Sequence, residues 1–284
     1  MTTPPHIDEN FLRTWIGRTE QAEDVISPRL AREFLATLDK GDGLLPLGAI
    51  APLAIHWCLS PPTVKASGLG ADGHPQRGGF LPPVSLPRRM WAGGELAFHD
   101  QLRVGDVVQR QSTIDDVRVK QGRSGILCFV TVCHRLSTAR GLALTERHDI
   151  VYRDLGGADT PKSTATATVM PQPDRSLACQ ADPPLLFRYS AITFNGHRIH
   201  YDKPYATGVE GYPGLIVHGP LQATMLMQFA AEIIGRPLAQ FSFRGLQPLF
   251  DFEPFSLCAR AEESGLKLWT ITPEGKKTME ATAN

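Results

Sequence analysis

The segment LQATMLMQFAAEIIG, residues 221–235, decides the fold class of this chain. Leu221, Met225 and Phe229 recur at helical spacing, and apolar residues occupy most of the other positions. A helix that is apolar on nearly all sides is stable only when it is deeply buried. Gly235 follows the apolar run and is typical of a helix end. We therefore expect a buried helix wrapped by a strongly curved antiparallel sheet, which is an α+β architecture.

Short alternating segments predict the strands of that sheet. Residues 125–136 and 143–153 form one predicted strand pair, and residues 266–272 and 277–284 form another. In each pair, β-branched and apolar residues alternate between turn residues.

The chain also contains a weak internal repeat. Residues 95–108 align without a gap with residues 240–253, and the order of predicted elements is shared between the two halves. The sequence therefore predicts a duplicated unit. The similar residues that coincide are Leu96 with Phe241, Phe98 with Phe243, Val104 with Leu249 and Asp106 with Asp251.

A helix is predicted in the first half as well. SPRLAREFLATLD, residues 27–39, opens with Ser-Pro and spaces Leu30, Phe34 and Leu38 helically. We pair this helix with the one at 221–235, so that each repeat has one helix.

A stretch rich in Gly, Pro, Ala, Ser and Thr separates the two halves and predicts a linker. The expected regions are a degenerate N-terminal repeat at residues 1–155, a linker at 156–182 and a C-terminal repeat at 183–284.

The composition restricts the function classes. Lys+Arg and Asp+Glu are equal at 29 each, so no overall positive charge favours nucleic acid or anionic lipid. No apolar run approaches the ~20 residues needed to span a bilayer, and the opening MTTPPHIDEN lacks a secretory pattern. The five cysteines are widely spread and form no C-x-x-C, which favours reduced thiols. We expect a soluble, cytoplasmic protein that binds neither nucleic acid nor membrane.

The segment FNGHRIHYDKPYA, residues 194–206, concentrates polar side chains that can carry chemistry. His197 and His200 are three residues apart, and the pair His218-Gly219 follows in GLIVHGPLQA. A metal site is one interpretation, although the zincin spacing H-E-x-x-H is absent. A satisfied surface network is the other, and the spacing alone favours it.

The glycine-rich GLGADG, residues 68–73, matches G-x-G-x-x-G. Neither a clear strand before it nor a helix after it is predicted, so we interpret it as a loop and not as a nucleotide site.

The segment as a whole resembles the signature of the MaoC-like hydratases, which have the hot-dog fold. The strings TFNGHRIHYD and EGYPGLIVHGPL are most similar to the double-hot-dog branch of that family. The resemblance implies a double hot-dog, in which two curved antiparallel sheets each wrap a central helix. The residues that keep the family pattern in register are Ile192, Thr193, Ile199, His200, Ala206 and His218-Gly219.

The resemblance also implies an activity. Its members add water reversibly across the double bond of an α,β-unsaturated acyl-CoA, without metal or redox cofactor. The leading substrate is a branched C5 dicarboxylyl-CoA such as mesaconyl-C4-CoA or itaconyl-CoA, and a homodimer is expected.

The catalytic roles follow from the same comparison. The family's catalytic aspartate is Asn195 here, and an amide cannot accept a proton as a carboxylate does. We therefore expect His200 to carry the acid–base work, with Asn195 orienting the water. Gly219 is expected to bring backbone N–H groups to the thioester oxygen at a helix start. Gly214 and His218 are assigned to the same thioester-binding loop.

The candidate substrate-binding residues are Arg198, Tyr205 and His197. Arg198 stands where the family has proline, and His197 stands where it has asparagine. Arg198 either holds the distal carboxylate of a dicarboxylyl-CoA or pairs with Asp202, four residues on. The sequence leaves both interpretations open.

The first half has no Asn–His pair near its helix, and His56 is far downstream in an apolar run. We therefore expect one active site per chain, with residues 78–98 lining the acyl and pantetheine pocket. Arg88 and Arg89 either meet anionic groups of the substrate or form a solvated pair.

Three alternative functions remain open. A 3-hydroxyacyl-thioester dehydratase of fatty-acid synthesis would run the same chemistry in the other direction. A thioesterase would need a carboxylate to activate water, for which Asp202 and Glu210 are the nearby candidates. A non-catalytic acyl-CoA-binding protein would account for Asn195 as a lost catalytic group.

Overall fold

Strands dominate the computed structural model, which describes residues 7–41, 43, 45–122, 125–154 and 172–284. The strands are β1 (Thr19–Val25), β2 (Arg88–Phe98), β3 (Val107–Gly122), β4 (Gly125–Thr138), β5 (Gly141–Arg153), β6 (Arg175–Cys179), β7 (Gln240–Gly245), β8 (Phe255–Glu262), β9 (Gly265–Ile271) and β10 (Lys277–Ala283). The α-helices are α1 (Glu9–Arg13), α2 (Pro28–Thr37), α3 (Pro183–Ile192), α4 (Lys203–Gly208) and α5 (Gly219–Ile234). Short 3-10 helices cover Ile55–Cys58, Ala66–Gly68 and Arg198–His200.

The strands form one antiparallel sheet in the order β1-β3-β4-β5-β2-β7-β10-β9-β8-β6. Its two halves have the same arrangement, because β1 to β5 occupy the same relative places as β6 to β10. This is the topology of a double hot-dog, and it confirms the fold and the duplication predicted from the sequence. The two repeats share a single continuous sheet, since β2 pairs with β7 at its centre.

The pairing of β2 with β7 also supports the repeat alignment. Leu96 lies opposite Phe241, which is its own counterpart in the alignment. Two equivalent residues can face each other only if the two-fold axis that relates the repeats passes between them. Both side chains are buried in the same core cluster.

Helix α5 is the buried helix that the sequence predicts, and it begins two residues earlier than expected. Pro220 lies in its first turn, and Gly235 ends it with a left-handed φ of 68°. Leu221, Leu226 and Ala230 are among its fully buried residues. The helix packs against the strands of the second repeat and against β2.

Helix α2 is confirmed, but its predicted pairing with α5 is wrong. It begins after Ser27, whose side chain accepts the Leu30 N–H, and it follows the edge strand β1. Helix α3 follows the edge strand β6 in the same way, and α2 contacts α3. Helix α2 is therefore the counterpart of α3. In the described part of the first repeat, the segment between α2 and β2 contains 3-10 turns in place of a long helix.

A buried carboxylate, Glu146 on β5, organises the core of the first repeat. The Trp57 Nε1–H donates to its Oε1 at 2.7 Å. The Nε2 atoms of His56 and His148 lie 3.4 and 2.7 Å from its oxygens. Burial alone would raise the pKa of Glu146, but these histidines hold it well below its usual value. The first repeat thus contains a buried polar cluster, whereas the second contains an apolar helix.

The predicted linker at 156–182 is only partly observed. Residues 155–171 lie outside the described residues. Arg175–Cys179, expected to be linker, instead form β6, which pairs with β8 at the edge of the sheet. A short edge strand carries little hydrophobic periodicity, so the sequence pattern did not reveal it.

No helix in the described ranges has the length and apolar character required to cross a membrane. The five cysteines all have free thiols.

Gly94 on β2 provides a test of the packing at the centre of the sheet. A Cβ atom at this position would lie 2.7 Å from the Arg147 carbonyl oxygen and 3.1 Å from the Phe243 ring. We expect Gly94→Ala to lower the free energy of unfolding by about 1–3 kcal/mol, the usual cost of overpacking. Thermal and urea unfolding measure the change. Gly79→Ala is the matched control because a Cβ there meets nothing within 4 Å, and equal stability of the two variants would contradict the prediction.

Candidate active site

The motif at 194–200 forms a tight turn between α3 and a 3-10 helix. Phe194 adopts a left-handed conformation with φ of 51° just after α3. The Asn195 side-chain oxygen then accepts the backbone N–H of His197 at 3.0 Å. The amide of Asn195 therefore shapes the turn that leads into Arg198–His200.

His200 is held as a neutral base. Its Nδ1 lies 2.7 Å from the Ile216 carbonyl oxygen. Because a carbonyl only accepts, Nδ1 carries the proton and Nε2 has the free lone pair. The ring is buried, and this burial lowers the pKa of His200 to about 4. At neutral pH its Nε2 is available to accept a proton.

His218 stacks on His200 at the start of α5. The ring centroids are 3.6 Å apart and the planes differ by 17°. The Nε2 of His218 lies 2.8 Å from the Ser190 hydroxyl, and burial lowers the pKa of His218 well below its usual value. His218 thus aligns the base beside Gly219, whose N–H is too early in the helix to bond within it.

The glycine-rich loop at 68–73 reaches across from the first repeat to this turn. A Cβ on Gly73 would lie 1.9 Å from the Gly196 carbonyl oxygen, so only glycine allows the two backbones to come so close. The Arg198 N–H donates to the Asp72 carbonyl at 2.9 Å. The prediction of a loop is correct, and Gly73 is the glycine of the loop that makes this contact between the repeats.

The loop also adds two side chains to the site that the sequence analysis missed. The Nδ1–H of His74 donates to Asp72 Oδ2 at 2.9 Å, and the His74 ring packs on His197 with centroids 4.1 Å apart. The His197 ring in turn lies 5.4 Å from that of His200. Burial lowers the pKa of His197 to about 2, and it lowers the pKa of His74 too. No periodic or motif signal in the sequence connects these residues, which are more than a hundred positions apart.

Asp72, His74 and His197 have the donor types of a metal site. One ligand atom from each lies within 4.8 Å of the others. However, the atoms that join Asp72 to His74 are already used in their hydrogen bond. The charge of Arg89 also acts on both histidines and disfavours a second cation there.

Arg198 pairs with Asp202, which is the second of the two interpretations left open by the sequence. Its Nε and Nη2 atoms lie 2.9 and 2.7 Å from the same Asp202 oxygen. Nη1 donates to the Ala71 carbonyl at 3.0 Å, and the guanidinium lies over the Tyr205 ring at 4.0 Å. Tyr205 donates to Glu210 at 3.3 Å. Arg198 and Tyr205 therefore brace the turn from its outer side.

The structure brings most of the predicted site residues together. Asn195, His197, His200 and His218 share one connected group with Gly219 next to it. Gly214 has a different neighbourhood, since a Cβ there would lie 2.6 Å from Asp251 Oδ1 and 2.8 Å from the Phe252 ring. Close packing against these two side chains accounts for that glycine.

Comparisons with known proteins show which family and which relatives the whole chain resembles. Residues 54–251 match the family described as hydroxyacyl-thioester dehydratase type 2. The chain is 45% identical over 277 residues to the mesaconyl-C(4)-CoA hydratase of Chloroflexus aurantiacus, an alignment that covers 94% of this chain and 95% of the relative.

Two solved structures are similar in fold. One is a MaoC-like dehydratase from Phytophthora capsici, with a TM-score of 0.71, 12% identity and 98% of each chain covered. The other is a protein from Mycobacterium tuberculosis described as having a double hot-dog fold, with a TM-score of 0.58 and 14% identity, covering 94% of this chain and 95% of that one. At these identities the likeness shows the fold alone.

The buried, neutral His200 predicts a pH dependence of stability. Its pKa is about 4 when folded and ~6.5 when unfolded, so between these values the unfolded chain binds more protons. The free energy of unfolding should therefore fall as the pH is lowered from 7 to 5, and His200 should contribute about 1–2 kcal/mol of that fall. Urea unfolding of wild type and His200→Gln at both pH values measures this share. The exposed His99 is the control: His99→Gln should keep the full pH dependence, and an unchanged dependence in His200→Gln would contradict the prediction.

Proposed function

The chain belongs to the hydroxyacyl-thioester dehydratase type 2 family, and we propose on this basis that it adds water reversibly across the double bond of an α,β-unsaturated acyl-CoA. The observation that carries the proposal is the geometry of His200. Its Nδ1–H is fixed by the Ile216 carbonyl, which leaves a neutral Nε2 beside the start of a buried helix. The proposed enzyme is a hydro-lyase, and the match to the mesaconyl-C(4)-CoA hydratase favours a C5 dicarboxylyl thioester as the substrate.

In the proposed reaction, His200 Nε2 removes a proton from water as the oxygen bonds to Cβ of the substrate. The electrons of the double bond move toward the thioester carbonyl, which becomes an enolate. The proton on Nε2 is then delivered to Cα, so that the elements of water are added and His200 is regenerated. A histidine can do this around neutral pH because its neutral form accepts the proton and its charged form returns it.

The enolate oxygen needs hydrogen-bond donors that are in place before the reaction. We propose that the Gly219 N–H supplies one at the N-terminus of α5, where the helix dipole adds partial positive charge. A Cβ at Gly219 would meet only the Trp91 carbonyl, at 3.7 Å. No side chain lies within 4 Å of that position, which supports access to the Gly219 backbone from this side.

Asn195 is proposed to orient the attacking water. Its oxygen is occupied by the His197 N–H, so the side chain offers its NH₂ group, which donates and cannot act as a base. This division leaves His200 as the base and gives Asn195 a positioning role.

The family match also supports the dehydratase direction as a second candidate. Removing water from a 3-hydroxyacyl thioester uses the same base and the same oxyanion donor in reverse order. Which direction dominates depends on the substrate supplied and not on a different set of residues.

A panel of CoA thioesters followed by absorbance of the enoyl thioester and by mass tests the proposal. Gain of one water on mesaconyl-C4-CoA or crotonyl-CoA supports a hydratase. Loss of the acyl group would indicate a thioesterase instead. Binding of every thioester without any turnover would indicate a non-catalytic binding protein.

We also propose, from the family resemblance, that the protein is a homodimer and acts in the cytoplasm. Light scattering on the purified chain measures the first, and fractionation of cells measures the second.

His200→Ala should reduce turnover by about 10²–10⁴-fold, because it removes the acid–base group. Affinity for butyryl-CoA, a saturated thioester that cannot be hydrated, should stay near the wild-type value. Steady-state kinetics and calorimetry measure the two quantities, with His99→Ala as the control. Turnover within threefold of wild type would exclude His200 as the base.

Asn195→Asp separates the two uses of this side chain. The acid keeps an oxygen for the His197 N–H, so thermal stability should be retained, but it loses the NH₂ donor. We expect kcat to fall roughly 3- to 10-fold, which corresponds to the free energy of one hydrogen bond. KM should change little, and kcat should acquire a new pH dependence from the carboxyl group. Asn195→Ala should lose both stability and kcat. A large rise in KM at unchanged kcat would make Asn195 a substrate ligand.

A further inference from the structure

Four arginines surround the motif and its covering loop, and three of them are held by acidic side chains or by backbone carbonyls of the protein. Arg198 pairs with Asp202, and Arg88 pairs with Glu210, whose backbone carbonyl it also binds at 2.6 Å. The guanidinium of Arg77 donates to the backbone carbonyls of residues 84, 86 and 87. These three guanidinium groups therefore stabilise the fold through contacts within the protein.

Arg89 is different. It is half-buried on β2, and its guanidinium hydrogen-bonds to the hydroxyl of Tyr152, its neighbour on β5, which is an uncharged partner. Among the described residues it forms no ion pair with an acidic side chain. The acidic group nearest in this cluster, Asp72, is already bound to His74.

The neighbours of Arg89 do not compensate its charge. Burial is the main cause that lowers the pKa of His74 and His197, and the charge of Arg89 adds to the effect at both rings. Both imidazoles are therefore neutral at pH 7. A half-buried guanidinium among neutral rings carries a desolvation cost that an anionic ligand would offset.

We propose that Arg89, together with the stacked rings of His74 and His197, forms the subsite for a carboxylate on the acyl group of the substrate. The inference rests on the proposed function and names the group that selects the substrate. It assigns to Arg89 a role that the sequence left open for Arg88, Arg89 and Arg198. A guanidinium suits the task because its planar fork can donate two parallel hydrogen bonds to a carboxylate.

The position of the subsite fits an acyl carboxylate better than a CoA phosphate. In a mesaconyl-C4 thioester the free carboxylate is attached to Cβ, the carbon that receives the hydroxyl group. It must therefore lie close to the base, and the His197 ring is 5.4 Å from that of His200. The phosphates of CoA lie at the far end of the pantetheine arm.

The first experiment measures binding and does not depend on turnover. Succinyl-CoA and butyryl-CoA are saturated and differ only in a carboxylate against a methyl group. Arg89→Met should weaken succinyl-CoA about 10- to 100-fold, as expected for hydrogen bonds to a charged group, and leave butyryl-CoA nearly unchanged. Arg198→Met is the matched control and should not alter the preference between the two ligands.

The second experiment measures turnover on fumaryl-CoA and crotonyl-CoA, which are the corresponding unsaturated pair. Arg89→Met should lower kcat/KM on fumaryl-CoA by a similar factor and spare crotonyl-CoA. If wild type hydrates neither of these thioesters nor mesaconyl-C4-CoA, the proposed function fails, whereas the binding preference still tests the subsite.

Equal losses on both members of a pair would overturn the inference. Thioesters of pantetheine, which lack the CoA phosphates of the nucleotide, distinguish the reasons. If Arg89→Met no longer weakens the binding of the pantetheine thioesters, Arg89 binds a phosphate of CoA. If it weakens both pantetheine thioesters equally, Arg89 has a structural role. Arg89→Lys is the control for misfolding, because it keeps the positive charge and loses only the planar guanidinium. It should retain part of the preference for succinyl-CoA.

Discussion

The pairing of β2 with β7 is the contact on which the rest of the molecule depends. It joins two five-stranded units into one sheet and sets the two-fold axis between Leu96 and Phe241. Because the repeats are fixed relative to each other in this way, the loop before β2 can lie over the motif that follows α3. The close approach of Gly73 to Gly196 is the result. Neither repeat contains the complete candidate site alone: His200, the proposed base, comes from the second, and His74 comes from the first.

Duplication supplied two similar units, and their cores have since become different. The second repeat buries an apolar helix whose N-terminus faces the base. The first repeat buries Glu146 with Trp57, His56 and His148. A buried carboxylate requires donors from several directions, and an apolar helix cannot offer them. In the described part of the chain, the first repeat therefore has no counterpart of α5 and its N-terminus, in accordance with a single proposed active site.

Burial decides which side chains of the site are neutral, and ion pairs decide which positive charges are neutralised. The four stacked or adjacent imidazoles, His74, His197, His200 and His218, all have a lowered pKa for which burial is the main cause. The guanidinium of Arg89 beside them forms no ion pair with an acidic side chain among the described residues. A site with neutral bases and fixed positive groups favours an anion as it enters and does not protonate it. Such an environment agrees with a substrate that becomes an enolate during the reaction.

The sequence alone determined the features whose signals are local. An apolar helix at 221–235 must be buried whatever surrounds it, and alternation predicts strand pairs wherever they end up in the sheet. The motif likewise identified His200 and Gly219, because the turn that holds them is built from consecutive residues. Tertiary structure decided what depends on distant pairs: that α2 corresponds to α3, that Asp72 and His74 cover the motif, and that Arg198 has an acidic partner whereas Arg89, among the described residues, has only the Tyr152 hydroxyl. Arg88 and Arg89 are adjacent on β2, so their side chains point to opposite faces of the strand. Which of the two lies toward the site depends on the register of β2 against β5 and β7. No periodicity within the chain encodes that register, since it follows from how the two repeats close on each other.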